Sequence, residues 1–183
     1  SILMKNIKIL SASILFIFLT SNVFATELKV NDTAPLFKAK LQSGVSFDLE
    51  SQKGKWTVLY FFPKSDTPGC TKQACAFRDN IEKITTLGAD VYGISMDTVE
   101  KQAAFHKKHG LKFSLISDDD GAITKAYGAK IPFLRMAKRW TFILDDKLVI
   151  RKVDHNVDPV TDAVKVAEFI STEKANKDKK SKK

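Results

Sequence analysis

Two cysteines, Cys70 and Cys75, are the only thiols of the 183-residue chain, and both fall in the stretch "YFFPKSDTPGCTKQAC", Tyr60 to Cys75. The four residues between them are too many for a CxxC redox or zinc motif and too few to staple distant parts of a fold. Thr67 followed by Pro68 reads as the N-cap and first position of a helix. Cys70 then sits in the first turn, where free backbone N–H groups and the positive end of the helix dipole stabilise an anion and favour thiolate over thiol. Helix geometry sets the α-carbons of residues five apart at roughly 8.6 Å. A disulfide needs about 4.4 to 6.8 Å, so the two cysteines cannot join while that helix is intact. Three readings stay open at this point: a permanent local disulfide in a segment that is never helical, two unrelated thiols of which one is buried as a small apolar group, and a pair in which Cys70 attacks an oxidant and Cys75 resolves the product.

Other residues offer less. His106 and His109 stand at i, i+3 in "FHKKH", a spacing that can hold a metal, but lysines flank them with no cluster of acids or cysteines nearby, and solvated surface is the expectation. His155 is isolated. The chain has no Gly-rich phosphate loop, and none of its serines lies in a nucleophile-elbow pattern. No metal is implied, and no cofactor beyond the protein's own sulfurs.

The elements that must carry the cysteines alternate between extended and helical patterns. "LFKAKL" and "VSFDL" flank Gln42-Ser43-Gly44 as an N-terminal hairpin, and "WTVLYFF", Trp56 to Phe62, is apolar almost throughout, as a central buried strand is. Pro63 ends it. The cysteine helix should run from Thr67 to about Thr86, with Ala74, Phe77, Ile81 and Ile84 as the stripe facing the sheet. "DVYGISM" is a strand. Asp97 with Glu100 has the form of a capping box opening a helix that Gly110 closes. "FSLIS" is a strand and "DDDGAITKAYGA" a short helix, while "RWTFIL" and "LVIRKV" form a second hairpin. Asp158 and Pro159 cap a last helix with Val160, Ala163, Val164, Ala167 and Ile170 at helical spacing. The class is α/β, and the order β-β-β-α-β-α-β-α-β-β-α resembles a thioredoxin-like fold: a central mixed sheet flanked by helices, with an N-terminal hairpin.

"FFPKSDTPGCTKQACAFRD", Phe61 to Asp79, closely resembles the active-site pattern of peroxiredoxins, with proline, threonine and cysteine at Pro63, Thr67 and Cys70. The cysteine five residues further on is similar to that of the bacterioferritin comigratory protein, or Q-type, branch. "YGISMD", "FSLISD", "AYGA" and "RWTFILD" extend the likeness over roughly residues 30 to 172. The resemblance implies a thiol peroxidase for hydrogen peroxide and small organic hydroperoxides, with Cys70 as peroxidatic and Cys75 as resolving cysteine, joined in an intramolecular disulfide. It implies that Arg139 lies beside the cysteine and orients the peroxide, that Thr67 supplies a hydroxyl to the peroxide oxygens, and that Pro63 shields the sulfur from water. Thr67 as a plain N-cap, Pro63 as a plain strand terminator and Arg139 as a surface cation are the rival readings. Trp140 is bulkier than the residue expected beside that arginine. Unwinding of the cysteine helix is required for the disulfide, and the polar Lys72 and Gln73 suit a segment that is cheap to expose.

The resemblance further implies a monomer re-reduced by an external thioredoxin-like dithiol. Two other functions compete: a thiol–disulfide oxidoreductase of the same fold, and a non-enzymatic binding or holdase domain with a structural disulfide. Lys5 and Lys8 before an apolar run from Ile9 to Leu19, then "VFA", have the form of a secretory signal peptide over residues 1–25. The run is shorter than the roughly 18 to 20 residues that span a bilayer, so cleavage after Ala25 is expected over retention as an anchor, and export to a bacterial periplasm follows. Residues 26–173 form one domain. The formal net charge of +9 owes much to "KANKDKKSKK", residues 174–183, expected to be a disordered tail. No aromatic residue interrupts its lysines, which argues against nucleic acid as a partner.

Overall fold

The computed structural model describes residues 27–182. Its elements are β1 (Lys38–Leu41), β2 (Ser46–Asp48), β3 (Trp56–Phe61), α1 (Pro68–Thr86), β4 (Ala89–Ser95), α2 (Val99–Lys108), β5 (Ser114–Ser117), α3 (Ala122–Ala126), β6 (Trp140–Leu144), β7 (Ile150–Asp154) and α4 (Asp162–Ser181). A single 3-10 turn, Leu49–Gln52, joins β2 to β3. The seven strands form one mixed sheet in the order β2-β1-β5-β4-β3-β6-β7. The centre is parallel, β3 with β4 and β4 with β5, and both flanks are antiparallel. This is the α/β, thioredoxin-like arrangement expected from the element order, and the expected hairpins are β1–β2 and β6–β7.

Alternation along the strands divides the core into two layers. Val58, Tyr60 and Phe62 project to one face, where α1 and α4 bring Ala74, Phe77, Ile84, Val166 and Ile170. Leu59, Phe61 and Phe142 project to the other, packed with Tyr127, Leu148 and Ile150. β3 is buried along its whole length, which is why its sequence, Thr57 aside, is apolar rather than alternating. The Tyr60 ring stacks on Phe77 of α1, centroids 4.6 Å apart. It reaches that position over Gly93 of β4, where an added Cβ would come within 2.6 Å of the ring. Tyr60 thus couples the strand that precedes the cysteines to the helix that carries them.

Three expectations need correction. Asp97 does not cap α2: the N-cap is Thr98, whose hydroxyl accepts from the Lys101 N–H, and Asp97 turns inward. In α4, Asp158 does accept from the N–H groups of Val160 and Thr161, but the helix begins at Asp162, and its buried stripe is Asp162, Ala163, Val166, Ala167 and Ile170. Val160 and Val164 point to solvent. Finally, the tail expected to be disordered from Lys174 continues α4 to Ser181. Propagating an existing helix costs no new nucleus, alanine and lysine are good helix formers, and ion pairs from Glu173 to Arg151 at 3.1 Å and from Lys177 to Asp146 at 3.8 Å tie the extension to the β6–β7 hairpin. The proposed signal segment, residues 1–25, and Lys183 lie outside the described residues.

Candidate active site

α1 starts where β3 ends, with Pro63 to Thr67 as the connecting loop. Thr67 occupies the N-cap with extended backbone, and its carbonyl accepts the Thr71 N–H at 2.9 Å. Its hydroxyl does not cap the helix but donates to the Lys64 carbonyl at 2.8 Å. Pro68 has no N–H to leave unpaired, and the Gly69 and Cys70 amides lie in the first turn, at the positive end of α1, where no carbonyl of the helix precedes them.

Cys70 is buried, 1 % exposed, and Cys75 is half-buried on the same unbroken helix. Both are free thiols. A segment that is never helical because of a permanent Cys70–Cys75 bond is therefore not what this chain adopts.

Arg139, the residue before β6, brings its guanidinium to the start of α1. Nη2 donates to Cys70 Sγ at 3.3 Å and Nη1 donates to Gln73 Oε1 at 2.7 Å. The rigid fork of the guanidinium allows one side chain to meet both groups. The approach is close at Gly69, where an added Cβ would lie 3.1 Å from Nη2 and press the guanidinium aside by a few tenths of an ångström. Trp140, next in sequence, faces the opposite side of the sheet, as strand alternation dictates, and stacks on His155 with centroids 3.9 Å apart. Its bulk does not enter the Cys70 side.

Gln73 is the residue whose environment the sequence conceals. It is fully buried rather than cheaply exposed, and its amide spans from Arg139 to Asp162: Nε2 donates to Asp162 Oδ2 at 2.9 Å. The same carboxylate oxygen accepts from Thr141 Oγ1 at 2.8 Å. Burial pushes the Asp162 carboxyl above its ordinary range, against the two hydrogen bonds from Thr141 and Gln73. Asp162 is the polar member of an otherwise apolar helix stripe, and that break in the stripe was its only signal in the sequence.

A second buried network fixes the loop before α1. Asp97 Oδ2 accepts from the Ser65 N–H at 2.8 Å and from the Ser95 hydroxyl at 2.6 Å. Gln102 Oε1 accepts from the Ser65 hydroxyl at 3.0 Å, while Gln102 Nε2 donates to Ser95 Oγ and the Ile116 carbonyl. Asp66, in left-handed conformation with φ of 63°, pairs with Lys108 at 2.8 Å and His109 at 3.3 Å. His109 is thus half-buried against Asp66, and His106 Nε2 lies 3.0 Å from the Phe113 carbonyl; the expectation that both are plain solvated surface is corrected. Among the described residues no group of three or more His, Cys, Asp or Glu side chains could hold a metal ion.

Comparison with known proteins agrees with the likeness read from the motif. Residues 30–153 match the model of the AhpC/TSA family. The chain is 43 % identical over 137 residues to a chloroplastic peroxiredoxin Q of Sedum lineare, covering 74 % of this chain and 73 % of that one. It is 39 % identical over 132 residues to a protein of Coxiella burnetii named for peroxiredoxin bcp, covering 69 % and 87 %. Among solved structures, the peroxidoxin BcpB of Mycobacterium tuberculosis superposes with a TM-score of 0.75 at 31 % identity, over 80 % of this chain and 98 % of that one. The bacterioferritin comigratory protein of Xanthomonas campestris, studied for alkyl peroxide reduction, gives 0.70 at 27 % identity, over 75 % and 91 %. A buried helix-start cysteine under an arginine fork, on this sheet and with these relatives, places the chain in the AhpC/TSA family of peroxiredoxins, among its Q/bcp members.

Proposed function

We propose that this thiol peroxidase works through Cys70 and Cys75 in sequence, with Arg139, Thr67 and Pro63 forming the peroxide site. The observation that carries the reading is the Arg139 guanidinium held between Cys70 Sγ and Gln73 Oε1 at the uncapped start of α1. A cation meets the sulfur in the first turn of a helix, at its positive end, which is the arrangement a thiolate nucleophile and a breaking O–O bond both require.

In the first step the Cys70 thiolate attacks the terminal oxygen of a hydroperoxide. The S–O bond forms as the O–O bond breaks, two electrons leave the sulfur, and the alkoxide or hydroxide departs to take a proton from solvent. Arg139 and the Cys70 N–H offset the charge moving onto the peroxide oxygens, and the Thr67 hydroxyl, now on the Lys64 carbonyl, lies at the same helix start. In the second step the Cys75 sulfur displaces the hydroxyl of the Cys70 sulfenic acid, forming the S–S bond and releasing water. Since residues five apart on a helix are too distant for this bond, the first turns of α1 unwind. An external thioredoxin-like dithiol returns two electrons and restores both thiols. The signal-like residues before Ala25 support export to a periplasm as the setting, the cleaved chain acting as a monomer.

Stopped-flow mixing of the reduced protein with hydrogen peroxide, followed by the fluorescence of Trp56 and Trp140, tests the cycle. A fast phase lost in Cys70→Ser and a slower phase lost in Cys75→Ser are expected. Reaction no faster than that of an ordinary free thiol would leave the thiol–disulfide oxidoreductase as the alternative, and an assay of disulfide exchange would decide it.

A further inference from the structure

Asp162 lies at the buried end of a chain of hydrogen bonds that begins at the reactive sulfur and passes through the half-buried Arg139: Cys70 Sγ, Arg139, Gln73, Asp162. Asp162 is 3 % exposed and Gln73 fully buried, so no solvent competes for either. The two ends of the Gln73 amide are dictated by its neighbours. An ionised carboxylate only accepts, so the NH2 group must face Asp162, and a guanidinium only donates, so the carbonyl must face Arg139. The ionised Asp162 thus reinforces the amide orientation that Arg139 itself requires, and anchors the far end of the amide that holds the arginine against Cys70.

Gln73 also lies inside the segment that has to rearrange. Joining Cys70 to Cys75 draws together α-carbons roughly 8.6 Å apart in the helix to about 4.4 to 6.8 Å, and the residues between them cannot keep helical geometry. Gln73 is then withdrawn from Asp162. What remains around the carboxylate is the Thr141 hydroxyl from β6, the buried Tyr60 hydroxyl of β3, which feels the carboxylate's charge and has no hydrogen-bond partner of its own, Asp154 and Lys152 of β7 opposing one another in sign, and Arg139 no longer linked through the amide. A buried carboxylate that loses one of two donors binds a proton more tightly, since burial already favours its neutral form.

We propose that Asp162 is a redox-linked proton site: ionised in the reduced enzyme, where it positions Arg139 through Gln73, and protonated from solvent when the Cys70–Cys75 disulfide pulls Gln73 away. The inference rests on the reading that these two cysteines join. Reduction of the disulfide takes two electrons from the donor and, with Asp162 releasing its proton inside the protein, one proton fewer from solvent. Proton release at Asp162 and return of Gln73 are one event, so re-forming α1 and re-aiming Arg139 are coupled.

The test is a redox titration of the isolated protein against dithiothreitol, scored by thiol alkylation, across about pH 4 to 8, for wild type, Asp162→Asn and Asp162→Glu. The wild-type potential should fall with pH less steeply than that of Asp162→Asn, by up to about 30 mV per pH unit, the equivalent of one proton on a two-electron couple. Asp162→Glu should restore the shallow slope. On oxidation the wild type should also gain the infrared C=O band of a protonated carboxylic acid, absent in Asp162→Asn. Parallel slopes and no new band overturn the proposal. The infrared difference on wild type alone decides the matter where Asp162→Asn does not fold. Failure of the wild type to form the disulfide at all strikes the two-cysteine cycle itself, and is read separately from the alkylation.

Discussion

One side chain at the site makes two demands on its chemistry. Arg139 donates through separate nitrogens to a sulfur and to an amide carbonyl, and Gly69 clears the space for it. Lysine would keep the charge but present it as a point on a flexible stem, unable to hold both partners at fixed angles. Arg139→Lys is therefore expected to fold normally and to lower the second-order rate of peroxide attack by roughly tenfold to a hundredfold, the scale of losing one aimed donor. Stopped-flow peroxide kinetics measures it, and a rate within twofold of wild type would show that charge alone suffices. The place of Cys70 in the first helical turn was legible from Thr67 and Pro68, and the nearness of Arg139 only through the resemblance to peroxiredoxins. Gln73 and Asp162 were not: one was read as an exposable polar residue, and the other drew no reading at all. Their significance comes from a contact between residues 89 positions apart, which periodicity along a chain cannot display.

At the level of elements, the fold was legible wherever local pattern and tertiary packing agree. β3 read as buried because all of its residues but Thr57 are apolar, and α1 was bounded by Pro68 and by Gly88, which takes φ of 75° after the helix end. The misreadings occurred at helix ends, where one acid has several possible partners. Asp97 fits a capping box by spacing, yet it serves the loop before α1 through Ser65. That loop is clamped by a network in which Gln102 alone reaches Ser65, Ser95 and the Ile116 carbonyl. Gln102→Leu fills a similar volume and removes a partner from Ser65, Ser95 and the Ile116 carbonyl, of which Ser95 keeps Asp97, so it should cost about 1 to 3 kcal/mol in urea melts and slow peroxide attack as the Thr67 loop loosens. An unchanged attack rate in the face of that loss would separate the clamp from the site. α1 itself should respond to oxidation: its first turns unwind to join the cysteines, so far-UV circular dichroism is expected to lose a small part of its helical signal on peroxide treatment and recover it with dithiol. A spectrum unaltered by full Cys70–Cys75 oxidation would exclude unwinding.

For the whole molecule, the site imposes an electrostatic cost that shows in how stability varies with pH. Most shifted acids here are surface groups held below their ordinary range: Asp66 by hydrogen bonds from Lys108 and His109, Asp79 by Arg78, Asp158 by the Val160 and Thr161 N–H groups. Each favours the fold when ionised, above the unfolded carboxyl range, and loses that contribution as pH falls through its folded value. Asp162 runs the other way. Burial raises its folded value, so the native state holds the proton more tightly than the unfolded chain, and stability from this group declines as pH rises from 3.8 through the raised value. Above that window the protein carries an ionised carboxylate in its core, compensated by Gln73 and Thr141 alone among the hydrogen-bond donors described. Asparagine keeps an oxygen for both donors without the charge. Asp162→Asn should therefore be no more stable than wild type in acid, gain on it as pH rises through the window, and hold a constant advantage beyond, while its peroxide kinetics worsen. Urea unfolding of both proteins at a series of pH values reads the difference. A stability difference that does not change with pH would mean that Asp162 has the same charge in the folded and unfolded chain throughout, and that the carboxylate at the end of the Arg139–Gln73 chain costs the fold nothing.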